Sequence, residues 1–171
     1  RLESPEFDKV KRRIYLDIVV KKKSRLIAIE LKYKTRSTGE DININGEKFS
    51  LKNHAACDLG RYDYLKDVER LEQLSKKRKA FSGFAILLTN DSRYWEKTKK
   101  KTLDESFLLY QNREIPMSMS PLKWSNNAAP GTIKGREEGI ELTNNYTLNW
   151  ETYYPLKNVT KSPPDAVFRY L

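Results

Sequence analysis

The 171-residue chain contains one cysteine and one histidine, and no apolar run nears the roughly eighteen residues a membrane span needs. Cys57 alone excludes an intrachain disulfide and suits a reducing compartment, so a cytoplasmic location is expected. It reads as a small half-buried apolar residue rather than as a nucleophile. One Cys and one His cannot supply the ligands of a zinc site. Neither a P-loop nor a dinucleotide fingerprint is present. The opening RLESPEF has neither a Met nor a signal-peptide core, so residues upstream of Arg1 are expected.

Charge is abundant. Lys plus Arg number 33 against 23 Asp plus Glu, a net charge of +10, and charged residues make up 33% of the chain. That balance favours a polyanionic partner, DNA first with RNA left open, and an anionic membrane surface second. Hydrophobic residues make up only 38% but are clustered in runs, as in a folded chain rather than a disordered one. The length suits one domain over 1–171.

Strand and helix periodicities divide the chain. IYLDIVVKKKSRLIAIELKYKT, Ile14 to Thr35, reads as a β-hairpin of two β-branched runs around KKKSR. Residues 36–53 are a polar insertion with a tight turn at Asn45-Gly46. From Ala56 to Ala80, Tyr62, Leu65, Val68, Leu71 and Leu74 recur at helical spacing, with acids early and Lys76 to Lys79 late, as the helix dipole favours. Phe84 to Thr89 lacks polar alternation, which predicts a central strand covered on both faces. Ser92 to Glu114 is expected to be helical in parts, and 117–139 to be a long loop region. YTLNWETYY and AVFRYL are expected strands. The class is α/β.

Two acids interrupt the hairpin. Side chains alternate faces along a strand, so Tyr15, Asp17 and Val19 share one face and Ala28, Glu30 and Lys32 share another. The opposite face of the second strand, Ile27, Ile29, Leu31 and Tyr33, is expected to meet the core. Register then brings Asp17 near Glu30 and Lys32. Crowded carboxylates need a cation or a proton between them. Mg²⁺ is commonly held by one or two carboxylates, several waters and a substrate phosphate. Such an ion polarises the phosphate and acidifies a bound water. Lys32 would stabilise charge on the phosphoryl oxygens or act on the attacking water. The competing reading is a pair of salt bridges, with Lys32 simply neutralising Glu30 or Asp17.

An acid on one strand followed by acid-x-Lys on the next resembles the PD-(D/E)XK nuclease superfamily, the restriction-endonuclease-like proteins. Asp17 matches the first acid and Glu30-Leu31-Lys32 the second element, while Leu16 stands where the family name has proline. RYDYLKDVERLE, FAILLTNDSRYW, TIKGREE, YTLNW and FRYL look like segments of uncharacterised bacterial proteins with this fold. The resemblance implies a mixed β-sheet flanked by helices and a magnesium-dependent endodeoxyribonuclease, with Mn²⁺ as a substitute. Asp17 and Glu30 would hold the metal, with the Leu31 backbone carbonyl helping, and Lys32 would be catalytic. It also implies a helix ahead of the hairpin, which this chain lacks, with Arg1-Leu2-Glu3 as the end of the strand that follows it.

Nucleic-acid contacts are expected from Lys21, Lys22, Lys23 and Arg25 at the hairpin tip, from His54, and from Lys134 and Arg136 in a glycine-containing loop. Lys97, Lys99, Lys100 and Lys101 form a further basic run. Asp67, Glu69 and Arg70 can extend the site from the helix, and Asp91 reads as a functional loop residue or a cap. Cleavage of both strands of a duplex by a chain this size implies a homodimer. Two other functions fit the same features, an inactive nucleic-acid-binding module on this fold and a structural or interaction protein.

Overall fold

The computed structural model describes residues 2–7, 13–39, 41–44, 46–156 and 167–171. In chain order the elements are β1 (Leu2–Phe7), β2 (Arg13–Lys22), β3 (Arg25–Lys34), β4 (Ile42–Ile44), β5 (Glu47–Phe49), α1 (Cys57–Lys77), β6 (Phe81–Thr89), β7 (Glu114–Ile115), β8 (Tyr146–Thr147), β9 (Glu151–Pro155) and β10 (Val167–Tyr170). Six of the strands form one sheet in the order β1-β2-β3-β6-β10-β9. Only the β3–β6 pair is parallel, running from Leu26↔Phe81 to Lys34↔Thr89, and α1 is the connection that parallel pairing demands. The architecture is α/β with a mixed sheet. Among the described residues α1 is the one α-helix, and no helix is long and apolar enough to cross a membrane.

The hairpin forms as its pattern predicts. β2 and β3 pair from Ile18↔Ile29 to Lys22↔Arg25 across a two-residue turn, in which Lys23 takes φ 54°. That left-handed conformation suits the twist of a tight hairpin. The polar insertion forms a small hairpin of β4 and β5, with Gly46 at φ +87° in its turn. Asn45, the other half of the expected turn, lies outside the described residues, as does Arg1. Leu2 and Glu3 belong to β1, which pairs antiparallel with β2.

The face of the sheet that meets α1 is the reverse of the sequence expectation. Ala28 and Glu30 are buried beneath α1, whereas Leu31 and Tyr33 on the other face are 46% and 52% exposed. β6 follows suit, with Leu87 buried and Phe84 52% exposed, so it is covered on one face rather than two. The reason is steric. α1 approaches the sheet over Ala28, Gly83 and Ala85, and a Cβ on Gly83 would already stand 3.0 Å from Leu71 Cβ. Small residues, not the branched ones, admit a helix backbone. Leu16, Val19, Ala28, Leu71 and Leu74 make the resulting cluster. Leu16 and Val19 sit three positions apart yet share it, so alternation slips at Asp17, where the ladder to β3 also stops.

A second, larger core lies on the same side of the sheet, built by α1 and the segments after β6. Tyr62 stacks on Trp124 and both meet Phe107 edge-on, at centroid distances of 4.8 to 5.6 Å. Their polar ends find loop carbonyls: Tyr62 donates to Glu138 at 2.9 Å and Trp124 to Arg136 at 2.8 Å. The 117–139 region is indeed loop-like, yet it is anchored by Trp124 and by the Leu122↔Ile140 bridge. Between Ser92 and Glu114 the expected helix reduces to 3-10 turns at Ser92–Tyr94 and Glu105–Phe107. Phe107, Leu108 and Leu109 are all buried in succession, a pattern no helical stripe produces. Tyr146, Leu148 and Trp150 face inward alternately as expected, and YTLNWETYY divides between two paired strands, β8 at Tyr146–Thr147 and β9 from Glu151.

The face assignment has a direct test. Leu71→Ala should lower stability by about 2–5 kcal/mol, whereas Leu31→Ser should change it by less than about 0.5 kcal/mol, both read by urea unfolding. A large loss from Leu31→Ser would mean that the outer face is covered.

Candidate active site

Asp17, Glu30 and Lys32 do come together, and α1 completes the group. The Leu31 backbone N–H donates to Asp17 Oδ2 at 2.7 Å, where the β2–β3 ladder would otherwise continue. The carboxylate thus replaces a strand carbonyl and is held against β3. Leu31 is engaged through its N–H in this contact rather than through its carbonyl. Glu30 is only 2% exposed, and its Oε1 accepts from Arg70 Nη1 at 2.7 Å. The same nitrogen lies 3.1 Å from Asp67 Oδ1, and Lys32 Nζ lies 2.6 Å from Asp67 Oδ2. Strand and helix therefore share one chain of alternating charge, Glu30–Arg70–Asp67–Lys32. Lys32 pairs with Asp67 of the helix rather than with Glu30 or Asp17, the partners expected from the hairpin alone.

The helix residues arrive by periodicity. Asp67 and Arg70 are three apart on α1, so they project from one face toward the sheet. Sequence reasoning named both as possible extensions of the site without a partner for either. The available signal was a helix whose inward positions, by spacing from Leu71 and Leu74, also carry acids. Glu69 and Glu72 are buried too, but they serve the fold. Glu69 accepts from the Glu141 N–H at 3.0 Å. Glu72 accepts from Thr143 N, Thr143 Oγ1, Asn144 Nδ2 and Tyr146 Oη at 2.6–3.1 Å.

Burial and crowding set the electrostatics. The Glu30 carboxyl is pushed up to about 7, first by burial and then by the charge on Asp67, with Asp17 adding a smaller push and Arg70 opposing. Asp67 is likewise held above its ordinary value by burial, against the pull of Lys32 and Arg70. A second cation beside Glu30 would therefore relieve a strained ionisation. As a donor set, Asp17 and Glu30 suit magnesium, which takes one or two carboxylates and fills the rest with water and phosphate. Among the described residues no group of three or more His, Cys, Asp or Glu side chains could hold a metal ion. An all-protein cage is thus absent from them, and any cation at Glu30 would share its carboxylate with Arg70.

The remaining expected contacts are dispersed. Lys21, Lys22, Lys23 and Arg25 are exposed at the hairpin tip. His54 is pinned just past the end of β3: its Nδ1 accepts from the Thr35 backbone N–H at 2.9 Å, and the His54 backbone N–H donates to the Thr35 carbonyl at 2.7 Å. No described contact brings it to the carboxylates. Arg136 forms a two-pronged pair with Asp63 at 2.6 and 2.9 Å, while Lys134 is exposed. Asp91 caps a 3-10 turn through Arg93 N and pairs with the Arg93 guanidinium. It also accepts from the Cys57 thiol, whose pKa burial pushes up to about 11. Cys57 is thus a buried protonated thiol.

No family model, curated protein or solved structure matches this chain.

The Glu30 shift makes stability depend on pH. A carboxyl raised in the folded state keeps a proton that the unfolded chain has released, so stability falls as pH rises from about 4.5 to 7. The fall attributable to Glu30 is at most about 3 kcal/mol, and Asp67 acts in the same direction. In EDTA, the urea midpoint of the wild type should drop between pH 5 and pH 7.5, roughly the window of that titration. Glu30→Gln should flatten the drop.

Proposed function

We propose that this chain is a magnesium-dependent endodeoxyribonuclease of restriction-endonuclease-like fold, with Asp17, Glu30 and Lys32 at its centre. The observation that carries the reading is the gathering of these residues where β2 and β3 meet α1, with Glu30 buried and its carboxyl held up by burial and by Asp67 despite Arg70. The strand order β1-β2-β3-β6 and the helix between β3 and β6 support it, as does the net charge of +10. Asp17 and Glu30 would hold the ion, which when bound would polarise the scissile phosphate and acidify a water. Lys32, with its ammonium partly exposed beside Asp67, is placed to meet a phosphoryl oxygen. Asp67 would orient Lys32, and Arg70 would balance the carboxylates before substrate arrives.

A second reading has its own observation. Arg70 already donates to Glu30, supplying from within the protein the charge that a metal would bring. On that reading the chain binds nucleic acid without cutting it, and the charged cluster fastens helix to sheet.

Cleavage of plasmid DNA in Mg²⁺ or Mn²⁺ separates the two. Wild-type protein should cut, and Asp17→Ala, Glu30→Ala and Lys32→Ala should each lose on the order of a hundredfold or more in rate while keeping a native circular-dichroism spectrum. Equal cleavage by all three variants would end the proposal. Salt-sensitive binding without cleavage by the wild type would establish the second reading.

A further inference from the structure

Away from the carboxylates, residues 97–101 run Lys-Thr-Lys-Lys-Lys along the rim of a cleft whose other wall comes from the segment between Tyr110 and Asn126. Six cationic side chains line it, Lys97, Lys99, Lys100, Lys101, Arg113 and Lys123, against two acidic ones, Glu105 and Glu114. None of the five lysines has an ion-pair partner among the described residues. Three arginines elsewhere are paired, Arg61 with Asp104, Arg93 with Asp91 and Arg136 with Asp63. The cleft lysines instead resemble the exposed hairpin-tip lysines, but they are gathered around one concavity.

The cleft is built, not merely a stretch of loose surface. Arg113 is buried and committed to the Leu108 and Ser106 carbonyls, so the floor is rigid. The Ser125 N–H donates to the Leu103 carbonyl and the Gln111 N–H to the Trp95 carbonyl, both at 2.9 Å, tying wall to wall. Thr98 Oγ1 accepts from the Lys100 N–H at 3.2 Å and fixes the turn that spreads the lysines. Lys97 Nζ sits 5.2 Å from the centre of the half-exposed Tyr110 ring. Crowded like charges raise one another's energy, and an anion relieves them.

Shape selects the kind of anion. At ≈ 980 Å³ the space reaches the upper end of what small-ligand pockets enclose, and it is open along its rim. Four of the five lysines fall within one five-residue stretch, 97–101, and the fifth, Lys123, comes from a distant part of the chain. That spread over a large open space suits a repeating anion more than a single phosphate. The Tyr110 ring is already engaged by Lys97 Nζ and by the Arg113 guanidinium, 5.8 Å from its centre, while Ser125 and Asn126 supply hydrogen-bonding groups of the kind that meet phosphate and sugar. Lys97 and Thr98 also line a neighbouring cavity with Cys57, Arg61 and Arg93 at the start of α1. Asp67 lies six residues beyond Arg61 on that helix, about 9 Å along its axis.

We propose that this cleft binds the sugar-phosphate backbone of a nucleic-acid strand. The inference deepens the nuclease reading by naming the path of its substrate, and rests on it only for what the strand is led to. Binding is measured with divalent metal chelated, so a failure of cleavage and a failure of binding are separate results.

The test is fluorescence anisotropy of a labelled oligothymidylate of about 20 nucleotides, with the full chain in EDTA over a range of salt. The wild type should bind with a steep salt dependence. Replacing Lys99, Lys100, Lys101 and Lys123 together by Ala should weaken binding more than tenfold near 0.1 M salt and lower the slope of log K against log salt by about 2–3, at about 0.7 per lost phosphate contact. Lys100→Glu alone should act in the same direction, which guards against a fold defect in the multiple variant. Replacing Lys21, Lys22 and Lys23 by Ala should change the slope by less than half as much. The proposal is overturned if the wild type does not bind, if the cleft variants keep the wild-type slope, or if polyglutamate of equal charge competes as well as the oligonucleotide.

Discussion

A helix laid on a charged face of a sheet is the constraint from which the rest of this structure follows. α1 covers Glu30 and half covers Lys32, and stripping water from such groups costs several kcal/mol each unless partners replace it. Asp67 and Arg70 are those partners, and among the described residues no other hydrogen bond or ion pair meets the Glu30 carboxylate. The pairing fixes both the rotation of α1 about its axis and its position along β3. Once the helix is so placed, its other buried acids face the segment from Glu141 to Tyr146, and Tyr62 faces Trp124. The loop-rich half of the chain is organised from that side of the helix.

Much of this was legible in the residues. The hairpin, the extent of α1 and a strand after it follow from β-branched runs and helical spacing. The hairpin turn is nonetheless shorter than the KKKSR segment, and β6 begins at Phe81, with Gly83 inside it rather than breaking the chain before it. The pairing of Glu30 with Lys32 on one face follows from alternation, and the approach of Asp17 from hairpin register, although alternation itself slips at Asp17. Two things did not follow. Alternation says which residues share a face but not which face is covered, and the apolar side of β3 was the natural candidate for the core. It lost because a helix needs close approach, which Ala28, Gly83 and Ala85 permit and Ile27, Leu31 and Phe84 do not. The second was the region from Ser92 to Ile140, where burial is decided by contacts distant in the chain, such as Trp150 Nε1 to the Leu109 carbonyl at 2.6 Å.

The charged cluster has two meanings at once. As architecture it is a helix-to-sheet fastening made of ion pairs rather than aliphatic contacts. As chemistry it is a set of three acids and two bases in which one acid is held near neutrality. The architecture is compatible with the proposed metal reading, because a site that received a cation would have to be stable without one. Arg70 and Lys32 provide that stability, and their long side chains can move away from a carboxylate without disturbing the backbone that holds it.

The parallel pairing of β3 with β6 carries a kinetic consequence. Every other pair in the β1-β2-β3 half of the sheet closes across a short segment, and the β2–β3 hairpin closes across two residues. The β3–β6 seam instead spans the polar insertion and all of α1, so the loop-closure entropy of assembling the sheet is concentrated there. Before that seam forms, β3 is an edge with unpaired backbone groups along most of its length. The docking of one helix through a few buried ion pairs is then what commits the two halves of the chain to each other.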